Sequence, residues 1–138
     1  MVEALPIADE RDPDIERAMA LLGPLEGRVM RAVWTGEVTA TFVVRDVQIL
    51  MPKLAYTTVM TTLRRLADKG LLTARAEPGR RAHEYRAAGT AADYLVRASH
   101  HEAGQFVARY GDAALSAFAA RLANLTPEQR RRLEDLPQ

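Results

Sequence analysis

A short stretch of the chain combines hydroxyl side chains with arginines on what would be one surface of a helix. It contains four threonines and two arginines: Thr57, Thr58, Thr61, Thr62, Arg64 and Arg65. Val59, Leu63 and Leu66 recur at helical spacing and predict a buried stripe with the threonines on the opposite face. Threonine is a mediocre helix former, so a surface that needed only solubility would use Glu, Lys or Gln. Because hydroxyls can bond to base edges and arginines can neutralise phosphates, the pattern is typical of a helix in the major groove of DNA.

The distribution of charge indicates the same region. The 138 residues carry a formal net charge of +1. Residues 1–22 have a net charge of −4, whereas residues 53–86 hold eight basic groups against three acids, and the other segments balance. Such a concentration of Arg and Lys is typical of a protein that binds a polyanion. A solvated basic face is the alternative interpretation.

Two helices are predicted directly before the threonine helix, after a short helix over residues 15–22. The first begins at Gly23-Pro24 and ends near Gly36, and the second covers residues 45–51 and stops at Pro52. Residues 38–44 are rich in β-branched side chains and fit either a strand or a helix. Gly70 ends the threonine helix as a C-cap residue.

A basic hairpin is predicted to follow the threonine helix. Residues 72–76 and 82–86 have the length of strands, and Pro78-Gly79 between them is a turn signal. Arg80 and Arg81 stand at the tip. Three helices followed by a basic hairpin is the order of a winged helix-turn-helix, in which the third helix enters the major groove and the wing lies along the DNA backbone.

The same residues resemble a known family. Residues 58–70 read Thr-Val-x-Thr-x-Leu-x-Arg-Leu-x-x-Lys-Gly, which resembles the recognition-helix signature of the penicillinase repressor family (the BlaI/MecI/CopY type). Residues 22–34, LGPLEGRVMRAVW, are similar to the first helix of that family, and Tyr85 matches its wing tyrosine. The resemblance covers residues 22–86 by motif and the remainder by architecture. It implies a homodimeric repressor that reads an inverted-repeat operator through its winged domain and dimerises through a C-terminal helical segment.

The resemblance leaves the inducing signal open. Copper-responsive members carry C-terminal cysteine pairs, whereas this chain has no cysteine. Members that are inactivated by proteolysis are cleaved at an Asn-Phe bond, whereas here Phe106 follows Gln105 and the single Asn, Asn124, precedes Leu125. An unknown inducer or an upstream sensor protease therefore stays open as a partner.

The C-terminal residues predict helices with a wide apolar face. Thr90 is expected to cap a helix that reaches about His101, and TPEQ at residues 126–129 is typical of a capping box that begins a last short helix. The apolar residues predicted to form a dimer core are Leu95, Phe106, Tyr110, Leu115, Phe118 and Leu122. Because these helices have little else to pack against, we predict that they bury this face against a second copy of the chain. Packing onto the winged domain is the alternative.

No sequence pattern predicts an enzyme, a metal site or a cofactor. The chain lacks a Gly-rich phosphate loop, a nucleophile elbow and a compact cluster of His, Asp and Glu. His100 and His101 are adjacent and would point about 100° apart on a helix, which disfavours a shared metal ion. The absence of cysteine, of a signal sequence and of a long apolar run fits a cytoplasmic protein that does not enter the membrane.

Taken together, these patterns predict a mainly α fold with a small β-wing. We expect an acidic N-terminal arm at residues 1–21, a winged helix-turn-helix domain at residues 22–88 and a helical dimerisation segment at residues 89–138. The recognition helix would cover about residues 55–69, and the wing residues 72–86. The residues predicted to bind double-stranded DNA are Tyr56, Thr57, Thr58, Met60, Thr61, Arg64, Arg65, Arg80, Arg81 and Tyr85. The predicted function is sequence-specific repression by a homodimer, and the alternative is a winged helix used for contact with another protein.

Overall fold

Helices and one small antiparallel sheet make up the described part of the chain. The structure, a computed structural model, describes residues 5–76, 78–79 and 83–137. In chain order the elements are α1 (Pro13–Ala20), α2 (Pro24–Trp34), α3 (Val44–Leu50), α4 (Tyr56–Asp68), β1 (Leu72–Ala76), β2 (His83–Ala87), α5 (Ala91–Tyr110), α6 (Asp112–Ala123) and α7 (Pro127–Glu134). β1 and β2 pair antiparallel, with Leu72 opposite Ala87 and Ala76 opposite His83. The predicted mainly α fold with a β-wing is confirmed.

The first helix belongs to the core rather than to a separate arm. Asp12 caps α1 by accepting a hydrogen bond from the Asp14 N–H at 2.9 Å, and Pro13 follows at the first helical position. Ile15 and Ala18 lie three positions apart on one face of α1 and are completely buried beside α2. Residues 13–20 of the expected N-terminal arm are therefore part of the winged unit.

The core of the winged unit is formed by α1, α2, α3, α4 and the sheet. Its largest fully buried side chains are Phe42, Ile15, Met30, Leu63, Leu66, Leu71, Val29, Val47 and Val59. Burial of each such side chain contributes about 1.5–3 kcal/mol relative to exposure. In α3 the inward residues are Val44, Val47 and the following Met51, whereas Leu50 points outward and is 40% exposed.

Residues 38–44, whose sequence fits either a strand or a helix, contain an extended residue, Phe42. Phe42 pairs with Tyr85 of β2 and so holds the wing in place. The Phe42 N–H donates to the Tyr85 carbonyl at 2.9 Å, and the Tyr85 N–H donates to the Phe42 carbonyl at 2.7 Å. The two rings stack with their centroids 6.1 Å apart. The chain then enters α3 at Val44, and the Val43 N–H donates to the Asp46 carboxylate at 2.9 Å.

The chain divides into two compact units, with the boundary between Arg97 and Ala98. The boundary lies beyond the predicted position at residue 88 because the beginning of α5 packs on the winged core through Ala91, Tyr94 and Leu95. The Trp34 indole N–H also donates to the Gly89 carbonyl at 3.0 Å, which fixes the chain just before α5.

The second unit contains the end of α5 together with α6 and α7. α5 runs to Tyr110, beyond the predicted end near His101, and stops before Gly111, whose φ is +59°. Phe106 contacts Tyr110 and Phe118, with ring centroids 5.0 and 5.5 Å away. The predicted capping box of α7 is confirmed, because the side chains of Thr126 and Gln129 each accept the other residue's backbone N–H.

Candidate nucleic-acid interface

The exposed face of α4 carries short hydroxyl side chains followed by arginines. Thr57, Thr58 and Thr61 are exposed, as are Arg64 and Arg65 one to two turns later. The first turn contains no acidic residue. The face therefore presents hydrogen-bonding groups without a carboxylate that would repel a phosphate, until Asp68 at the end of the helix.

Thr62 differs from the other three threonines because it belongs to the buried side of α4. It is 6% exposed, and its hydroxyl donates to the Thr58 carbonyl one turn earlier at 2.8 Å. The position follows from the helical spacing, since Thr62 lies three residues after Val59 and four before Leu66. The expected four-threonine face is thus a three-threonine face.

The two other residues of α4 that the sequence predicts to contact bases, Tyr56 and Met60, differ in their exposure. Tyr56, the first residue of α4, is 44% exposed. Met60 is half-buried and packs against the core of the winged unit. Tyr56 is therefore accessible at the start of α4, whereas much of Met60 serves packing.

Tyr85 occupies the interior of the wing rather than its surface. It is 5% exposed and stacks on Phe42. Burial raises the pKa of its hydroxyl, an effect that the Arg64 charge opposes and Tyr56 reinforces, so the net shift is upward. The neutral Tyr85 side chain supports the wing beside α4, and its burial argues against the direct DNA contact expected from the sequence.

The predicted turn at Pro78-Gly79 is present between the two strands, with Gly79 at a φ of +82°. β2 begins at His83, one residue later than expected. Arg80 and Arg81, which the sequence assigns to the wing tip, lie outside the described residues.

The C-terminal end of α4 is joined to the N-terminal end of α2 by an ion pair. Glu26 Oε1 accepts hydrogen bonds from Lys69 Nζ at 2.8 Å and from the Gly23 N–H at 3.0 Å. Within the described part of the chain, Glu26 Oε2 is buried and has no hydrogen-bond partner. Burial raises the pKa of Glu26, but the hydrogen bonds from Lys69 and Gly23 and the charges of Lys69 and Arg65 outweigh it, so the net pKa is lowered.

A groove separates the beginning of α2 from the exposed face of α4. It is lined by Gly23, Pro24, Leu25, Glu26, Thr57, Thr58, Thr61, Thr62, Arg65 and Lys69. The Glu26–Lys69 pair therefore shares one surface with the threonines and with Arg65. Sequence reasoning missed this pair although both residues lie in the motifs quoted above, because 43 positions separate them.

Most of the predicted dimer residues form one exposed apolar group in the second unit. They are exposed on α5 and α6, and they are Phe106, Tyr110, Leu115, Phe118 and Leu122. Leu95 does not belong to this group, because it lies in the first unit and packs against the winged core.

These features define a winged helix-turn-helix protein whose α4 exposes a polar, basic face. A family model described as penicillinase repressor matches residues 22–138. The chain belongs to the penicillinase repressor family, and it is accordingly a DNA-binding transcriptional repressor. Members of this family are regulators rather than enzymes. No curated protein and no solved structure matches the chain.

No helix in the described ranges has the combination of length and apolar character that crossing a membrane requires.

Proposed function

We propose that this protein represses transcription as a homodimer on an inverted-repeat operator, with α4 in the major groove and the β1–β2 wing along the DNA backbone. The observation that carries the proposal is the exposed face of α4, where three threonines precede two arginines. An α-helix is about 10–12 Å wide with its side chains, and the major groove is about 12 Å wide. Short side chains on the leading face allow the helix axis to approach the bases closely.

Within this arrangement the exposed residues divide into two groups. Thr57, Thr58 and Thr61 reach base edges, where a hydroxyl bonds to either partner of a base pair and the threonine methyl packs on thymine. Tyr56 extends this surface at the start of α4. Arg64 and Arg65 contact phosphates and fix the register, a role that we also assign to Arg80 and Arg81 on the basis of the sequence.

Dimerisation is assigned to the exposed apolar group of the second unit. Phe106 contacts both Phe118 and Tyr110, yet Phe106, Phe118 and Tyr110 remain 38%, 38% and 53% exposed. Leu115 and Leu122 are 54% and 53% exposed. Contiguous apolar surface of this kind marks an interaction site, and a twofold axis would pair two winged units with two half-sites of an operator.

Selection of genomic fragments that bind the purified full-length protein tests the proposal. The selected fragments should share an inverted repeat, and affinity for them should fall steeply as salt rises, because bound phosphates release counterions. Selection of fragments with no common motif, or an affinity that does not depend on salt, would instead favour a winged helix used for protein contact.

A further inference from the structure

The three cations of the α4 region are not equivalent. Among the described residues, neither Arg64 nor Arg65 forms an ion pair, whereas Lys69 is bound to Glu26 at 2.8 Å. The Lys69 side chain is nevertheless half-exposed, and it lines the same groove as Thr58 and Arg65. The Glu26 carboxylate therefore lies beside Lys69 in a groove where Arg65 and the threonine hydroxyls are suited to bind phosphates.

The carboxylate is fixed more firmly than the lysine. Glu26 is 8% exposed and also accepts the Gly23 N–H, so any movement of its side chain would break the hydrogen bond that caps α2. Its lowered pKa means that it stays ionised at neutral pH. Lys69, in contrast, is held on a flexible four-carbon stem, and its ammonium could bind a phosphate if the carboxylate were neutral.

We propose that Glu26 limits the sequence-independent affinity of this repressor for DNA, because it holds the Lys69 ammonium in an ion pair and so withholds it from the phosphates. The inference rests on the proposed placement of α4 against DNA. An ammonium that is already paired gains little from a phosphate and releases no counterion from the DNA. Binding then depends on the arginines and on the base-reading threonines.

The test measures the affinity of the full-length protein for a short duplex of mixed sequence between about 50 and 200 mM salt. Glu26→Gln keeps an oxygen that can accept the Gly23 N–H but removes the charge that holds Lys69. One added phosphate contact steepens the slope of log K against log salt by about 0.9. The affinity of Glu26→Gln should therefore exceed that of the wild type at low salt and fall about threefold to fourfold more over this range.

Two further variants identify the cation and keep the test independent of any folding defect. In the double variant Glu26→Gln/Lys69→Gln, the slope of log K against log salt should return to the wild-type value. Lys69→Gln alone should leave the slope unchanged, because the wild-type lysine makes no phosphate contact. Glu16→Gln is the matched control, since Glu16 pairs with Arg31 at 3.5 Å and neither residue lines the groove. It should not steepen the slope.

The outcomes are distinct. An unchanged or shallower slope for Glu26→Gln, a shallower slope for Lys69→Gln, a double variant that keeps the steep slope, or an equal effect of Glu16→Gln would each overturn the inference. Failure of the wild-type protein to bind DNA in the same titration would overturn the proposed function itself.

Discussion

At the scale of single residues, neighbouring threonines of α4 serve different purposes. Thr61 is exposed among the groups assigned to base contact, whereas Thr62 is buried and bonds back to the Thr58 carbonyl. Chemically identical side chains are therefore separated by a rotation of about 100° around the helix.

Replacing each of these threonines by alanine should produce opposite phenotypes. Thr61→Ala should lower discrimination between the selected DNA and its base-pair variants by about 1 kcal/mol or more, with stability unchanged. Thr62→Ala should instead lower the free energy of unfolding by roughly 1 kcal/mol and preserve sequence preference. Competition binding and urea unfolding measure the two quantities. A loss of selectivity in Thr62→Ala alone would reverse the assignment.

Gly70 is required by its backbone conformation. Its φ is +81°, and a Cβ there would lie 2.8 Å from a guanidinium nitrogen of Arg97, whose other nitrogen donates to the Gly70 carbonyl at 2.6 Å. Gly70→Ala should therefore destabilise the fold by about 1 kcal/mol or more. Gly104→Ala is the control, because Gly104 lies within α5 with open space around it and should gain about 0.5–1 kcal/mol. Chemical unfolding of both variants distinguishes them, and equal effects would contradict the argument.

At the scale of elements, the Glu26–Lys69 ion pair between α2 and the end of α4 makes the free energy of unfolding depend on pH. The pKa of Glu26 is lower in the folded protein than its ordinary value, so the folded state favours the ionised form. This stabilisation is complete above the unfolded pKa of about 4.3 and is lost as the pH falls through the lower folded value. Glu26→Gln should accordingly reduce stability at pH 7 and flatten its decline in acid. Thermal unfolding between neutral and acidic pH measures this, and a decline as steep as in the wild type would assign the acid sensitivity to other groups.

The sequence predicted those elements whose signals are local. Val59, Leu63 and Leu66 define the buried face of α4, and Pro78-Gly79 defines the turn between the strands. The Phe42–Tyr85 bridge and the Glu26–Lys69 pair could not be predicted, because each joins segments that only the tertiary fold brings together.

The lengths of elements were less predictable than their existence. α5 continues through Gly104 to Tyr110 because a glycine inside a helix weakens it by about 1 kcal/mol without breaking it. Residues 13–20 looked like an acidic arm by charge, but the two buried residues of α1 outweigh that signal. The two compact units divide after Arg97 rather than near residue 88 for a similar reason, since burial of Ala91 on the winged core has no local marker in the sequence.

At the scale of the whole molecule, the two units should be separable in function. Phe118→Asp would place a carboxylate in the proposed dimer interface, where an unpaired charge is strongly unfavourable. The variant should be monomeric and should bind a full operator far more weakly while it still prefers the same half-site. Light scattering and DNA titration check both properties.

A fragment that ends at Arg97 is the matched comparison, because the winged core includes the beginning of α5. It should reproduce the monomeric behaviour of Phe118→Asp. A fragment or variant that stays dimeric would remove residues 98–138 from the dimer interface.

Folding of the wing should be a late event. The Phe42–Tyr85 bridge closes a loop that contains α3, α4 and β1, and contacts between such distant segments form only after the entropy of the intervening chain has been reduced. Phe42→Ala should therefore accelerate unfolding much more than it slows folding, whereas Leu63→Ala, in the middle of the locally encoded α4, should slow folding. Stopped-flow kinetics across a urea series would separate the two cases. If Phe42→Ala lost its stability mainly through slower folding, the bridge would already be present in the transition state.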